Sequence, residues 1–194
     1  MLFRSLDRLI DPTLDQVGSE NRRATAELTT HLLDHGHTRI GLIAGLAGLS
    51  TSQERRAGHR DALAARGVPV DPDLEADGAS ATDPARLATQ RLLALDDPPT
   101  AIVAGNNSMT IGALQALREA KLRVPDDVAV VAFDDHPWAD LFSPRLTAVA
   151  QPFADIAATA VQMLLARIGD PEAPAHTRRL APTLRVRESC GCPG

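Results

Sequence analysis

Polar side chains follow three short apolar segments of the chain at the points where those segments end. Arg55 follows GLIAG and its small-residue loop, Asn106 directly follows TAIVAG, and Asp134 directly follows VAVVAF. If the apolar segments are parallel strands, their carboxyl ends share one edge of a sheet, which is where open α/β sheets bind ligands. A guanidinium, an amide and a carboxylate can together hydrogen-bond a neutral sugar or polyol from several directions.

Each of these residues also fits a purely structural interpretation. Asn106 and Asp134 are residue types that cap helices and turns. Arg55 fits a solvated helix face, and Asp135 is typical of a surface position. Trp138, the only tryptophan, fits a packing role as well as a platform for a ligand ring. The residue types by themselves leave both interpretations open.

Other chemistries lack a complete set of residues. His31 and His35 have helical i, i+4 spacing, with His37 close by, but no further metal ligand is evident. Cys190-Gly-Cys192 has no second cysteine pair to complete a zinc site. No P-loop, nucleophile elbow or acid–base pair beside a nucleophile is present. The sequence therefore predicts a binding protein without catalytic residues, metal or cofactor, rather than an enzyme.

The apolar segments alternate with helical patterns along most of the chain. The predicted helices are RRATAELTTHLLDHG, QERRAGHRDALAARG, DPARLATQRLLAL and NNSMTIGALQALREAK. The predicted strands are TRIGLIAG, TAIVAG and DVAVVAF, and VPVDPDLEADG is predicted as a turn leading into a weak strand. Gly36 and Gly67 are expected to end the first two helices, and Asp83 to cap the third. Uninterrupted apolar strands are typical of a parallel sheet covered on both faces. We predict an α/β fold with a doubly wound parallel sheet from about Glu20 to Val149.

Two further segments follow this predicted sheet. Residues 151–168 keep apolar positions at i, i+3, i+4 and i+7, which predicts an amphipathic helix that needs an apolar partner. RRLAPTLRVRES is predicted as a closing extended segment.

The composition is that of an ordinary soluble globular protein. Of the 194 residues, 44% are hydrophobic and 23% charged, with a formal net charge of -5 and no basic stripe of the kind that duplex-DNA binders carry. The longest apolar stretch, Val128 to Phe133, is too short for a bilayer, and the amino-terminal segment lacks the apolar region of a signal peptide. Two cysteines near the end form no disulfide framework. We expect a cytoplasmic location.

Four motifs occur in a fixed order between Ser19 and Ser189. They are ENRRATAELTTHLLDHGHTRIGLIAG, ERRAGHRDALAARGVPVDPDL, PPTAIVAGNNSMTIGALQALREAKLRVPDDVAVVAFDDHPWADLFSPRLTAVAQP and LAPTLRVRES. In this order they resemble the lactose/galactose-repressor (LacI/GalR) family of transcriptional regulators, over nearly the whole chain.

The resemblance implies a type I periplasmic-binding-protein-like fold, in which two α/β lobes clasp an effector and the chain crosses between them three times. It implies one near-complete lobe and a remnant of the other. Residues 1–19 would be the tail of the first lobe, 20–150 the second lobe, 151–182 the return segment of the first lobe, and 183–194 the final pass to the second lobe and tail.

The resemblance also places effector contacts on residues at the predicted strand ends. Arg55, Asn106 and Asp134 match the family's pocket arginine, amide and carboxylate, and Gln151 matches its glutamine before proline. Thr51 lies where polar ligand contacts often come from the loop. The implied effector-binding residues are Thr51, Arg55, Asn106, Asp134, Trp138 and Gln151.

Trp138 belongs to this set because many members of the family place an aromatic residue near position 79, where this chain has Ala79. Stacking on a ligand ring would therefore depend on Trp138. The implied partners are a sugar-like small-molecule effector and a second copy of the chain in a homodimer, with no membrane.

Operator DNA would be bound only through an amino-terminal helix-turn-helix domain, which this sequence does not contain. Most of the first lobe is also outside it, so we expect the apolar face of helix 151–168 to be uncovered and the chain to dimerise or aggregate. A solute-binding protein of a sugar transporter is the alternative function, and an enzyme on the same α/β plan is a third.

Overall fold

The apolar segments form strands, and the helical patterns between them form helices. The computed structural model describes residues 5–7, 9, 11 and 13–192, so parts of the predicted tail 1–19 lie outside the described residues. The strands are β1 (Ser5–Leu6), β2 (Gln16–Ser19), β3 (Ile40–Ala44), β4 (Glu75–Asp77), β5 (Ala101–Ala104), β6 (Ala129–Phe133), β7 (Thr147–Ala150), β8 (Thr177–Leu180) and β9 (Thr183–Arg185). The helices are α1 (Asn21–Asp34), α2 (Ser50–Ala65), α3 (Thr82–Leu93), α4 (Asn107–Glu119) and α5 (Phe153–Gly169).

The strands belong to two separate sheets. The larger has six strands in the order β4-β3-β5-β6-β7-β9, in which every neighbouring pair is parallel except β7 and β9. The smaller is a parallel sheet in the order β1-β2-β8. The predicted doubly wound parallel sheet is confirmed, with β9 as an antiparallel edge strand.

Both faces of the large sheet are covered, and β6 shows why its strands must be apolar throughout. Ala129, Val131 and Phe133 pack into the core on the side of α1 and α2. Val130 and Ala132 pack into the core on the side of α3 and α4. Because successive side chains of a strand point to opposite faces, a strand between two helical layers has no solvent-facing position for a polar residue.

The predicted glycine ends of the first two helices are confirmed, and the predicted cap of the third helix is wrong. Gly36 and Gly67 follow α1 and α2 with φ of +87° and +67°, a conformation that glycine adopts without a Cβ penalty. Asp83 does not cap α3, because the helix begins at Thr82 and the capping position is Ala81. Asp83 lies in the first turn instead, where its negative charge faces the positive end of the helix dipole.

The apolar face of α5 is largely uncovered. Ile156 is the only buried residue among the described residues of this helix, whereas Val161, Leu165 and Ile168 are 55%, 63% and 58% exposed. The helix contacts the small sheet mainly through β2. The expected exposure of this face is confirmed, and self-association through it stays a prediction. None of the helices in the described part of the chain is long and apolar enough to span a bilayer.

A histidine is enclosed where α2 packs against α1 and the large sheet. His59 is 1% exposed, and its Nδ1 lies 3.1 Å from the Thr29 hydroxyl oxygen. Burial lowers the pKa of His59 to about 4, with Glu75 opposing this shift and the charges of Arg60 and Arg56 adding to it. The imidazole is therefore neutral in the folded protein at pH 7.

We expect this histidine to make folding sensitive to acid between its two pKa values. The unfolded chain binds a proton near pH 6.5, and the folded chain only near pH 4, so the free energy of unfolding falls as the pH drops through this window. The loss is about 3 kcal/mol when the window has been crossed. Urea unfolding of the parent and of His59→Asn, which keeps a hydrogen-bonding atom near Nδ1, measures it. Equal losses in both proteins between pH 7 and pH 4 would contradict the assignment.

Candidate functional site

The chain passes from one sheet to the other three times, and each passage lies at one edge of the large sheet. The passages run from Ser19 to α1, from Ala150 to α5, and from Leu180 to Thr183. The backbone N–H of Glu20 donates to the carbonyl oxygen of Leu180 at 2.9 Å, which holds two of the passages together. The carboxyl ends of β2, β7 and β8 therefore meet in one region, and β3, β5 and β6 end on the same edge as β7.

Three polar side chains form a hydrogen-bonded chain across this region. The Ser19 hydroxyl donates to Oε1 of Gln151 at 2.5 Å, and Nε2 of Gln151 donates to Oδ1 of Asp134 at 2.5 Å. Ser19 ends a strand of the small sheet, and Asp134 follows a strand of the large sheet. Gln151 thus bridges the two sheets, and the carboxylate of Asp134 is held at the strand end by a neutral donor.

Arg55 extends from α2 across the ends of β5 and β6. Its Nε donates to Oδ1 of Asn21 at 2.8 Å, and its Nη1 donates to the carbonyl oxygen of Gly105 at 2.5 Å. The guanidinium carbon lies 3.6 Å from the ring centre of Phe133, a cation–π contact. Burial lowers the pKa of Arg55, and neighbouring carboxylates, Asp134 foremost, act in the opposite direction. The guanidinium stays charged at neutral pH, because arginine is protonated throughout that range.

A second set of bonds couples the small sheet to α2. Nδ2 of Asn21 donates to the carbonyl oxygen of Ser19 at 3.0 Å and to Oε2 of Glu54 at 3.2 Å. Nη2 of Arg179, on β8, donates to Oε1 of Glu54 at 2.7 Å. Asn21 therefore joins Arg55 to this set, so that a movement of one sheet relative to the other changes the surroundings of Arg55.

Asn106 has the structural role that its residue type allows. Its Oδ1 accepts from the backbone N–H of Met109 at 2.8 Å and caps α4, and its Nδ2 donates to the carbonyl oxygen of Ser80 at 3.4 Å. Because Oδ1 can accept a second hydrogen bond and Nδ2 can donate a second one, this side chain keeps hydrogen-bonding capacity for a ligand. The long bond to Ser80 is the weaker of the two.

Strained backbone occurs after two strands of the large sheet. Asp134 has φ of 81° after β6, and Ala79 and Ser80 have φ of 48° and 57° after β4. Non-glycine residues in this region cost on the order of 1 kcal/mol each and cluster at binding sites. The backbone N–H of Asp134 donates to the carbonyl oxygen of Val149 at 3.0 Å, and this hydrogen bond stabilises the strained conformation of Asp134. The fold therefore maintains these unfavourable conformations at the edge where the polar side chains meet.

Thr51 lies four residues before Arg55 on α2, and Trp138 lies four residues after Asp134. Thr51 is buried in the first turn of α2, so the expectation that it lies in the preceding loop is wrong: the helix begins at Ser50. Trp138 stacks on His136, with ring centres 5.7 Å apart and planes within 10°, and meets the edge of Phe142 at 5.4 Å. The stacked His136 in turn lies within 2.9 Å of the Asn107 amide nitrogen, which places this aromatic group beside the start of α4.

Asp135, the neighbour of Asp134, forms an ion pair away from the cluster. Its two carboxylate oxygens accept from the guanidinium of Arg187 at 2.9 and 3.0 Å. Both side chains are mostly buried, at 14% and 13% exposure. The pair attaches the closing segment after β9 to the loop after β6, so the surface interpretation of Asp135 is wrong.

Several members of the cluster are not among the residues predicted from the sequence, although one signal pointed to some of them. Ser19 is the last residue of the strand QVGS and Asn21 lies two residues beyond it, so both are polar residues close to a strand end, as Asp134 is. Glu54 directly precedes Arg55 on α2. The position of Ser80 depends on the conformation of the turn after β4, which the sequence did not reveal. The strand-end rule, applied to the small sheet as well, would have found the first two.

Two cavities lie away from the cluster. A cavity of about 660 Å³ lies between α4 and the segment around Phe142, and one of about 520 Å³ lies between α5 and the small sheet. Neither is lined by the cluster residues, of which Ser19 and Asn21 are almost fully buried.

Comparisons with known proteins cover nearly the whole chain. Residues 29–190 match the family model of a periplasmic binding protein-like domain. The HTH-type transcriptional repressor PurR of Vibrio campbellii is 35% identical over 161 residues, which are 83% of this chain and 48% of PurR. The chain spans about half the length of the curated relatives it matches.

Solved structures extend this likeness to the fold. A transcriptional regulator from Sanguibacter keddieii, assigned to the LacI family, is 34% identical with a TM-score of 0.84, covering 96% of this chain and 71% of that one. The transcriptional regulator CelR in complex with cellobiose is 32% identical with a TM-score of 0.88, covering 93% of this chain and 55% of that one.

Proposed function

Because the chain belongs to the LacI family of transcriptional regulators, through its periplasmic binding protein-like domain, we propose that it is the effector-sensing region of such a regulator. The effector is a small polar molecule, a sugar or a related polyol. The observation that carries this proposal is the group of charged and neutral hydrogen-bonding side chains at the strand ends where the chain crosses between its two sheets.

The two sheets correspond in this proposal to the two lobes of the sensor. Residues 1–19 and 151–182 belong to the first lobe, and residues 20–150 and 183–194 to the second. An effector bound between the lobes contacts both, and therefore favours one relative orientation of the lobes over another. Arg179, Glu54 and Asn21 are the links through which such a change reaches Arg55.

Each residue has a distinct role in recognition. Arg55 donates to an effector oxygen through Nη2, which neither of its two hydrogen bonds uses. Asp134 accepts from effector hydroxyl groups, and Gln151 exchanges one of its present partners for the effector. Asn106 donates to the effector through its amide N–H groups. Thr51 packs in the first turn of α2, which forms one side of the proposed site.

Trp138 completes the proposed rim as an aromatic surface beside Asn107. His136 stacks on the indole ring and Phe142 packs against it in a T-shaped arrangement, so these two neighbours fix the ring orientation. A sugar ring presents apolar C–H faces that pack on such a surface. Among the similar structures, CelR was solved with cellobiose, which supports a carbohydrate as the class of effector.

The proposed output is altered binding of operator DNA by a separate helix-turn-helix domain, coupled to effector binding by a free-energy difference between two lobe orientations. A regulator of this kind acts in the cytoplasm and needs no catalytic group. The similar proteins reported above are transcriptional regulators, which favours this function over that of a transport protein.

A homodimer is part of the proposal. Leu141 is 83% exposed and Phe142 42% exposed, and they lie beside the cavity lined by α4. Together with the uncovered face of α5, this leaves exposed apolar side chains on both lobes, which favours self-association.

A thermal-shift screen tests the binding proposal. The chain is heated with each member of a panel of sugars, polyols, sugar acids and nucleobases, alongside Asp134→Asn and, as matched control, the exposed Asp96→Asn. A ligand at about 100 times its dissociation constant adds about 2.7 kcal/mol to the free energy of unfolding. We expect at least one compound to stabilise the parent and Asp96→Asn but not Asp134→Asn. If no compound separates the two variants, the site is misassigned.

A further inference from the structure

The carboxyl-terminal cysteine lies against two histidines of α1. Nε2 of His35 is 3.0 Å and Nε2 of His31 is 3.5 Å from Sγ of Cys192. The two imidazole rings have centres 4.4 Å apart, because their i, i+4 spacing places them on one face of the helix. One ligand atom from each residue lies within 4.8 Å of the other two. The sequence analysis found no further ligand for the histidines, and the fold supplies one.

The hydrogen bonding of His35 directs its metal-binding nitrogen toward the cysteine. Its Nδ1 lies 2.7 Å from the carbonyl oxygen of His31. A carbonyl oxygen only accepts, so Nδ1 carries the proton and donates it, and in the neutral ring Nε2 keeps its lone pair. Histidines that bind metals are commonly oriented in this way, with the second ring nitrogen donating to a carbonyl or carboxylate oxygen.

Cys192 is held in place by the segment that precedes it. The Ser189 hydroxyl donates to the carbonyl oxygen of Val130 at 2.6 Å and accepts from the backbone N–H of Thr147 at 2.8 Å. Cys190 is 1% exposed and packs in the core. Gly191 then turns the chain with φ of +89°. The tail is therefore anchored to the large sheet immediately before the thiol reaches α1.

The distances suit a tetrahedral zinc ion. Nitrogen and sulfur ligands at about 2.0 and 2.3 Å from tetrahedral zinc lie roughly 3.5 Å from each other. The His31 separation has this value, and the His35 separation is smaller by about half an ångström, an adjustment that a side-chain rotation supplies. Two imidazoles and one thiolate are ligand types that zinc prefers, and a water molecule can occupy the fourth position.

We propose that His31, His35 and Cys192 bind a zinc ion that fastens the carboxyl-terminal segment to α1. On binding, two histidine nitrogens and the cysteine sulfur each donate an electron pair to Zn²⁺, and the thiol proton passes to the buffer. The ion joins residues 161 positions apart in the chain, and because the unfolded chain lacks a preformed site, zinc binding stabilises the folded state. The site is separate from the proposed effector site and does not depend on it.

The test is zinc binding by the untagged, reduced full chain after dialysis against a chelator. Titration with Zn²⁺ alone in competition with a chromophoric chelator gives stoichiometry and affinity, and Co²⁺ substitution reports the ligands. We expect one ion per chain, visible absorption of tetrahedral cobalt, and a thiolate-to-cobalt charge-transfer band. Cys192→Ser should remove that band and weaken zinc binding by about 100-fold or more, since even loss of a supporting partner costs 10–100-fold.

Two further variants make the assignment specific. His35→Gln should weaken zinc binding to a similar extent, and His37→Gln should leave it unchanged, because His37 contacts Thr100 instead of the cluster. Circular dichroism of each variant shows whether it is folded. Zinc binding of equal strength in Cys192→Ser, or the same loss in His37→Gln, would overturn the proposal. A cobalt spectrum without a thiolate band would overturn it as well, and would leave the three groups as a thiol–imidazole hydrogen-bond cluster.

Discussion

Gly58→Ala should lower the free energy of unfolding by about 3 kcal/mol. A Cβ atom at this position would lie 2.0 Å from the carbonyl oxygen of Arg22 and 3.1 Å from the backbone nitrogen of Ala26. Both are backbone atoms of α1, so the contact is relieved only by moving α1 away from α2 and the sheet. In an ordinary helix, replacing glycine by alanine raises the free energy of unfolding by up to about 1 kcal/mol. A decrease instead would identify the close contact between α1 and α2 as the cause.

Urea unfolding of the variant, the parent and Gly48→Ala measures this effect. Gly48 is the matched control, because a Cβ atom there would have nothing within 4 Å. We expect Gly48→Ala to unfold at the parent's midpoint within error, and Gly58→Ala at a much lower one with a similar slope. Similar midpoints for the two variants would show that α1 and α2 do not cross as closely as the structure indicates.

Arg55→Met should weaken effector binding by about 100-fold, the equivalent of about 2.7 kcal/mol. Methionine keeps a flexible apolar stem over the ring of Phe133 but removes every donor of the guanidinium. An effector oxygen then loses a charge-assisted hydrogen bond, and Asp134 loses the nearby positive charge. The carbonyl oxygen of Gly105 and Oδ1 of Asn21 also lose their donor, so the free energy of unfolding should fall by about 1–3 kcal/mol.

Calorimetric titration with a compound from the thermal-shift screen measures the loss of affinity, with Arg56→Met as matched control. Arg56 is the next residue on α2, and its guanidinium binds Glu75, which also pairs with Arg60. In Arg56→Met, Glu75 therefore keeps Arg60 as its partner, and the cluster is unchanged. We expect this variant to bind the effector with nearly the affinity of the parent. Equal affinities for the two variants would place the effector away from the strand ends.

Much of the fold could be predicted because each strand and helix carries a local signal. The strand VAVVAF is apolar at every position because both of its faces are covered, and glycines end α1 and α2 where left-handed backbone is needed. The third helix shows the limit of such signals. Asp83 is a good capping residue, but the turn before it places Ala81 at the capping position. A cap depends on backbone geometry that residue type does not encode.

The candidate site was predictable in outline for the same reason. The rule that ligands bind at strand ends identified Arg55, Asn106 and Asp134 before any coordinates, because it needs only strand order and direction. The rule could not distinguish a ligand contact from a helix cap. In the structure Asn106 caps α4. In the bridge, Ser19 and Gln151 are 132 positions apart in the chain, and Gln151 and Asp134 are 17 positions apart. No local sequence pattern marks such pairs.

Residue order and type alone determined the fold class, the elements and the edge of the sheet where polar groups collect, since these follow from hydrophobic periodicity and strand direction. Only the tertiary structure decided which polar groups meet. It placed Asn21 against Arg55, and it brought Cys192 within hydrogen-bonding distance of His31 and His35. Contacts between residues far apart in the chain depend on how complete layers pack, and a difference of a few ångströms in that packing separates a site from two unrelated surface groups.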